Sequence, residues 1–177
     1  RELVDAAMSR DIAVDEHGST IWALDPARFG DARSALVKRT GNVVTEVMYW
    51  RGLDTMQTIG RVMAEYEALP ESEQPDEILI DEVGLGGPIV DRMRQLIGER
   101  VRGVNVAESP SSKGVYNNLP SELWFKTKAW FESRSCKVPR NDDLLADLTA
   151  ITYQFTSSGK MQAETKDSMR KRGLRSP

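Results

Sequence analysis

Cysteine and histidine are all but missing from this chain, which has one of each among its 177 residues, Cys136 and His17. A single cysteine excludes an internal disulfide and any zinc cluster built on thiolates. It is expected to pack as a small apolar group in a reducing compartment. His17 falls in a polar connector, residues 14–18, outside any apolar pattern, and reads as a surface residue rather than a ligand. No apolar run approaches the roughly 20 residues that cross a bilayer, and the N-terminus lacks the apolar core of a signal peptide, so a cytosolic protein is expected. The Gly-x-x-x-x-Gly-Lys-Ser/Thr phosphate loop is absent, and ATP hydrolysis is not assigned to this chain. Positive charge is not in excess either: the net charge of −3 argues against binding nucleic acid by bulk attraction alone.

What is present is ordinary in bulk. A hydrophobic fraction of 40% and a charged fraction of 29% suit one soluble globular domain with a proper core. The charge is unevenly placed. Residues 65–82 are acidic, whereas the tail carries Lys160, Lys166, Arg170, Lys171, Arg172 and Arg175. Such a tail reads first as a solvated terminus and second as a contact for a polyanion.

Two stretches share one form. Ile21-Trp-Ala-Leu24 is an apolar strand that delivers Asp25 just where Pro26 and Gly30 turn the backbone out of a sheet. Glu77-Ile-Leu-Ile-Asp81 does the same with Asp81, before the turn Gly84-Leu-Gly-Gly87. If the two strands are neighbours, two carboxylates meet at one sheet edge, an oxygen-rich site suited to Mg²⁺ or Mn²⁺. The glycine turn could cradle phosphate, but tight strand-to-helix geometry explains it better.

The rest of the chain supplies the setting. A helix is expected over residues 1–13, strands over 20–25, 34–39 and 43–50 with a Gly-Asn hairpin turn, and a helix over 55–69 capped by Asp54. A strand at 77–81, buried on both faces, leads to a helix opened by Pro88 and then to a strand over 101–106, a β-α-β unit. Residues 108–118 form a loop carrying Lys113. Ser121 then caps a helix whose Leu123, Trp124, Phe125, Trp130 and Phe131 recur at helical spacing, which favours core packing over a base-stacking platform. Asn141 caps another helix, where Asp142 and Asp143 serve its dipole. A second hairpin, 151–163, and a basic helix, 166–172, close the chain. The order βββαβαβ, then mixed α and β, fits an α/β ribonuclease H-like layout of the integrase type. That is a mixed five-stranded sheet of order 3-2-1-4-5 with helices on both faces, here followed by an extra C-terminal β-hairpin.

Taken together, Leu24-Asp25-Pro-Ala-Arg-Phe-Gly-Asp31, Ile80-Asp81-Glu-Val-Gly-Leu-Gly-Gly-Pro-Ile-Val-Asp91, Val104-Asn105, Tyr116-Asn-Asn118 and Lys166-Asp-Ser-Met-Arg-Lys-Arg-Gly-Leu-Arg-Ser-Pro177 resemble the C-terminal nuclease domain of the tailed-bacteriophage large terminase subunit. The resemblance implies a metal-dependent endodeoxyribonuclease that cuts concatemeric double-stranded DNA during genome packaging in the cytoplasm of the host, by two-metal hydrolysis with Mg²⁺ or Mn²⁺. It implies Asp25 as the ligand shared by two ions, Asp81 as a ligand of one, and Asp31 as an auxiliary acid, with Asp91 structural. Lys113, Lys166, Arg170, Lys171 and Arg172 would meet phosphates. The third acid of that family follows a Ser-Pro like Ser176-Pro177 and is not within this sequence. Residues 1–17 would be linker from an ATPase motor and 18–177 the nuclease domain. The portal protein and the small terminase subunit would be partners of the whole protein, and the domain alone a monomer. Two rival readings are an actin-like nucleotide-binding module and a DNA-gripping or docking domain that does not cut.

Overall fold

Strand β1 (Thr20–Asp25) is the axis of the sheet, because it is the one strand whose neighbours come from both halves of the topology. The computed structural model describes residues 1–27 and 32–174. On one side β1 pairs antiparallel with β2 (Ser34–Thr40), which turns through Gly41 and Asn42 into antiparallel β3 (Val43–Trp50). Gly41 holds a φ of 54°, the left-handed conformation this tight turn needs. On the other side β1 pairs parallel with β4 (Glu77–Asp81), which pairs parallel with β5 (Val101–Val104). The order β3-β2-β1-β4-β5 is that of the expected ribonuclease H-like sheet, flanked by helices.

The chain divides into two compact units, one of Ala13–Val106 and one of Arg1–Ile12 with the residues from Ala107 on. In the sheet unit, Trp22, Leu24, Leu36, Ile78, Ile80 and Val101 alternate onto one face. There they meet Ile59, Val62, Met63 and Tyr66 of α2 (Thr55–Glu67) and Ile89, Val90 and Met93 of α3 (Gly86–Ile97). Helix α2 starts where expected: Asp54 accepts from the Gln57 N–H at 2.8 Å while Gln57 Oε1 accepts from the Asp54 N–H at 2.9 Å, a reciprocal cap. Strand β4 departs from expectation. Leu79 is only half-buried, so β4 alternates in burial instead of being covered on both faces.

The second unit contains α1 (Glu2–Ser9), α4 (Leu119–Glu132), α5 (Asp142–Ala150), the hairpin β6 (Tyr153–Phe155) and β7 (Met161–Ala163), and α6 (Lys166–Lys171). Helix α1 stops four residues short of the expected end. The cap of α4 is Asn118, three residues before Ser121, because its Oδ1 accepts from both the Ser121 N–H (2.9 Å) and the Ser121 hydroxyl (2.6 Å). The aromatics of α4 were expected in the core, and only Phe131 is buried there. Trp124 and Phe131 instead border an apolar cleft of about 250 Å³ shared with Leu3, Val4, Leu148 and Ile151. Helical spacing gives a common face but not a partner broad enough to cover it.

What replaces a large apolar core in this unit is a set of polar clamps, one buried and one half-buried. Glu122, 1% exposed, accepts from the Ser111 N–H at 2.6 Å, from the Ser111 hydroxyl and from Lys126 Nζ at 2.7 Å. Those donors hold its pKa down to about 2, the lysine first. Burial opposes the ionisation of Glu164, but hydrogen bonds from Ser168, Thr152 and Arg172 outweigh it and keep that carboxyl below the usual range too. Cys136 is buried as expected. Burial pushes its thiol above the ordinary value, with Arg10 opposing from 3.6 Å.

Candidate metal centre

The parallel register carries the site. Leu24 of β1 is paired with Ile80 of β4, and one step further along each strand come Asp25 and Asp81. Side chains alternate along a strand, so both carboxylates sit on the face opposite the buried Leu24 and Ile80. Neighbouring strands lie about 4.8 Å apart, which puts the two acids side by side at the C-terminal ends of two parallel strands, where α/β sheets build their sites. Asp25 is exposed and Asp81 half-buried. Their outer neighbours in the sheet are Ala35 on β2 and Val104 on β5, which bring no charge of their own.

Each strand end is held from behind. After Asp25 the chain is fastened by Ser34, 2% exposed, whose hydroxyl accepts from the Ala27 N–H at 2.9 Å and donates to the Ala27 carbonyl at 3.2 Å. After Asp81 the chain turns at once. The Val83 N–H donates to Asp81 Oδ1 at 3.0 Å, and the Glu82 N–H continues the ladder to the Val104 carbonyl at 3.1 Å. Helix α3 then returns so closely that a Cβ at Gly86 would fall far inside contact distance of the Asp81 carbonyl oxygen. Only glycine lets that backbone approach. The glycine turn therefore serves strand-to-helix geometry, as expected from the sequence, and the residue responsible is Gly86.

Glu82 was not singled out from the sequence. Its side chain crosses the end of β5 and fills the space where Gly103 lacks a Cβ. The signal was present only as a glycine in an otherwise apolar strand, which marks a close approach without saying by what.

Among the described residues, the Val83 N–H is the one hydrogen-bond partner recorded for the Asp81 carboxylate, which leaves lone pairs on both oxygens for a cation. Also among the described residues, no group of three or more His, Cys, Asp or Glu is placed to hold a metal ion. Asp31, the auxiliary acid, lies outside the described residues, as do Ser176 and Pro177. The donor set of Asp25 and Asp81 fits a hard divalent ion that keeps several waters, since Mg²⁺ is commonly bound by one or two carboxylates.

The cations expected to meet phosphate all lie in the second unit. Lys113, Lys166 and Lys171 are exposed, and among the described residues none is in an ion pair. Arg170 pairs with Asp167 at 3.1 Å, within α6. Arg172 is committed to the structure: its guanidinium meets Glu164 at 2.6 Å and the Ala150 carbonyl at 2.8 Å.

The backbone arrangement is similar to that of solved structures. The nuclease domain of the large terminase subunit of bacterial virus Sf6 superposes with a TM-score of 0.76 at 19% identity, over 99% of this chain and 91% of that one. A mutant form of the same domain, solved with manganese, gives 0.74 at 18%, over 99% and 92%. The large terminase nuclease of thermophilic phage G20c, with bound magnesium, gives 0.63 at 16%, over 86% and 74%. At such identities the likeness establishes the fold. No protein-family model and no curated protein matches the chain.

Proposed function

We propose that this chain is the nuclease domain of a tailed-phage large terminase, a Mg²⁺- or Mn²⁺-dependent endonuclease that cuts concatemeric double-stranded DNA during packaging. The observation that carries the reading is the register that sets Asp25 beside Asp81 at the ends of two paired parallel strands. The sequence motifs around these two acids and the fold shared with terminase nucleases support it from separate directions. Manganese and magnesium in structures of that fold support the choice of ion.

In this reading Asp25 is the ligand shared by two ions and Asp81 the ligand of one, with Asp31 auxiliary. When bound, the ions supply charge neutralisation at the scissile phosphate and activation of water. What the chain contributes is placement. Two carboxylates are fixed by β1 and β4, and the backbone behind them is fixed by Ser34 and Gly86. With a single histidine in the sequence, proton transfer by imidazole has no role in the scheme. Of the cations expected at DNA, Lys113, Lys166 and Lys171 are in no ion pair among the described residues and would meet phosphates, with Arg170 and Arg172 contributing less because carboxylates already hold them. Phosphate contacts position DNA without reading bases, so weak sequence preference is expected. The reading brings an ATPase motor, a portal protein and a small terminase subunit as partners of the whole protein.

Supercoiled plasmid incubated with Mn²⁺ tests it. The chain extended past Pro177 to supply the third acid should nick the plasmid, and its Asp25→Ala variant should leave it intact. Equal cutting by both proteins would refute the assignment.

A further inference from the structure

The second unit carries an aromatic row that its core does not use. Tyr116, Phe125, Tyr153 and Phe155 follow one another with ring centroids 5.9, 5.1 and 6.0 Å apart. Burial falls along the row: Tyr116 and Phe125 are half-buried, whereas Tyr153 is 56% and Phe155 64% exposed. The hairpin register explains the arrangement. Met161 is paired with both Tyr116 and Phe155, and Ala163 with Tyr153, so the three hairpin-side rings share one face of a small sheet. Phe125 of α4 covers Tyr116 and Tyr153 and leaves Phe155 standing clear.

Residues 109–121 and 151–163, which build this face, contain two lysines, Lys113 and Lys160, and no aspartate or glutamate. Neither lysine is in an ion pair among the described residues. Each sits in a closed turn at one end of the row. The Val115 and Tyr116 N–H groups donate to the Ser112 carbonyl (2.9 and 3.1 Å) around Lys113, and the Thr156 N–H donates to the Lys160 carbonyl at 2.9 Å just past Phe155. The first turn is also clamped from below by Glu122 through Ser111. Exposed rings on a hairpin whose two building segments carry lysines and no acid match the chemistry of unpaired nucleotides. Bases stack on aromatic faces and the backbone follows positive charge.

We propose that this face binds a single DNA strand, with bases stacked on Tyr153 and Phe155 and phosphates met by Lys113 and Lys160. Duplex DNA does not suit it, because its bases are already stacked on one another and turn no ring face outward. A second copy of the chain does not suit it either, since a self-complementary contact would set the lysines of one copy against those of the other. The site uses neither Asp25 nor Asp81, and Lys113 is the one residue it shares with the phosphate contacts proposed above.

Fluorescence anisotropy tests it, with labelled oligothymidylate of roughly 15 nucleotides, a length within the usual span of single-strand sites, in EDTA so that no metal-dependent cleavage intervenes. Phe155→Leu keeps the apolar bulk and removes the ring, and it should raise the Kd about tenfold, in line with the loss of one stacked base. Phe155→Trp should bind as the wild type does. A Lys113→Gln/Lys160→Gln double variant should flatten the plot of log affinity against log salt by about 1.4, the share of two phosphate contacts. A blunt duplex of the same length should bind wild type and Phe155→Leu alike. Unchanged oligothymidylate binding in Phe155→Leu, equal weakening for the duplex, or no single-strand binding by the wild-type protein would each overturn the proposal. So would a dimer that Phe155→Leu abolishes while oligonucleotide affinity stays the same. Phe155 and Lys113 are exposed and Lys160 is half-buried, so all three should tolerate these substitutions, and circular dichroism checks the fold of each variant.

Discussion

The two units of this chain are stabilised by different means. Among the described residues, the sheet unit holds 15 of the 22 buried apolar side chains and the second unit seven, although the two are of similar length. The second unit compensates with two carboxylates, buried Glu122 and half-buried Glu164, each holding several donors. Charge divides the same way. The sheet unit has 10 basic and 16 acidic residues, a net of −6, and the other has 14 and 11, a net of +3. The overall charge of −3 is therefore the sum of an acidic sheet unit and a basic second unit. A rigid apolar scaffold suits a site that must hold two like charges side by side. A polar-clamped one suits a surface that meets a ligand from solvent.

Breaking the acidic half should have the largest effect. Removing either carboxylate, by Asp25→Ala or Asp81→Ala, should lower Mn²⁺-dependent plasmid cleavage by roughly 10²–10³-fold, the scale of a lost metal contact in the transition state. The melting temperature should not fall, because neither side chain is part of the core. A variant that cuts normally would sever the link between scaffold and chemistry.

Next in size is Gly86→Ala. The added Cβ must push either Asp81 or the start of α3, which should cost about 1–3 kcal/mol in urea unfolding, as overpacking does. It should also weaken metal binding, whereas Gly87→Ala, which has room, should do neither. Equal behaviour of the two variants would show that the close approach to Asp81 does not matter.

A third effect separates the units by pH. Glu122 titrates near 2 when folded and near its ordinary 4.5 when unfolded. The unfolded chain therefore binds the proton first, and the stability this carboxylate provides is complete above about pH 4.5 and disappears as pH falls towards 2. The depressed carboxyl of Glu164 adds in the same direction. Hydrogen exchange should show amides of α4 and β7 losing protection in that window before those of β1 and β4. The loss in Glu122→Gln should be visible at pH 7 and shrink towards pH 2. Simultaneous loss of protection in both units would contradict the division.

The smallest effect is expected at the surface. Phe155→Ser should change unfolding free energy by no more than about 0.5 kcal/mol, as for other exposed positions. A larger loss would mean that the ring belongs to the core after all.

The sheet unit was legible in the sequence because its signals are local and agree with one another. The apolar run 21–24, broken after Asp25 by Pro26, gave β1, the Gly-Asn turn gave the β2–β3 hairpin, and Asp54 gave the start of α2. The pairing of Asp25 with Asp81 followed once both strands were assigned to one layout. The second unit was harder to read. Its α4 aromatics have core spacing but face a shallow cleft and a three-residue strand, and spacing carries no information about what lies opposite. The Asn118 cap was hidden by Ser121, an equally good capping residue three positions on. Glu122, at the first turn of a helix, resembles a dipole-complementing surface acid, and nothing local reveals that Ser111 and Lys126 enclose it. Gly86 could not be told from Gly84 and Gly87 without the Asp81 carbonyl beside it.

The central claim is that Asp25 and Asp81 act together on a divalent cation, and an electron paramagnetic resonance titration with Mn²⁺ tests it most directly. Wild type should remove free Mn²⁺ from solution, and Asp25→Asn and Asp81→Asn should each lose that binding while keeping the wild-type melting temperature. Full binding retained in either single variant would contradict a shared site.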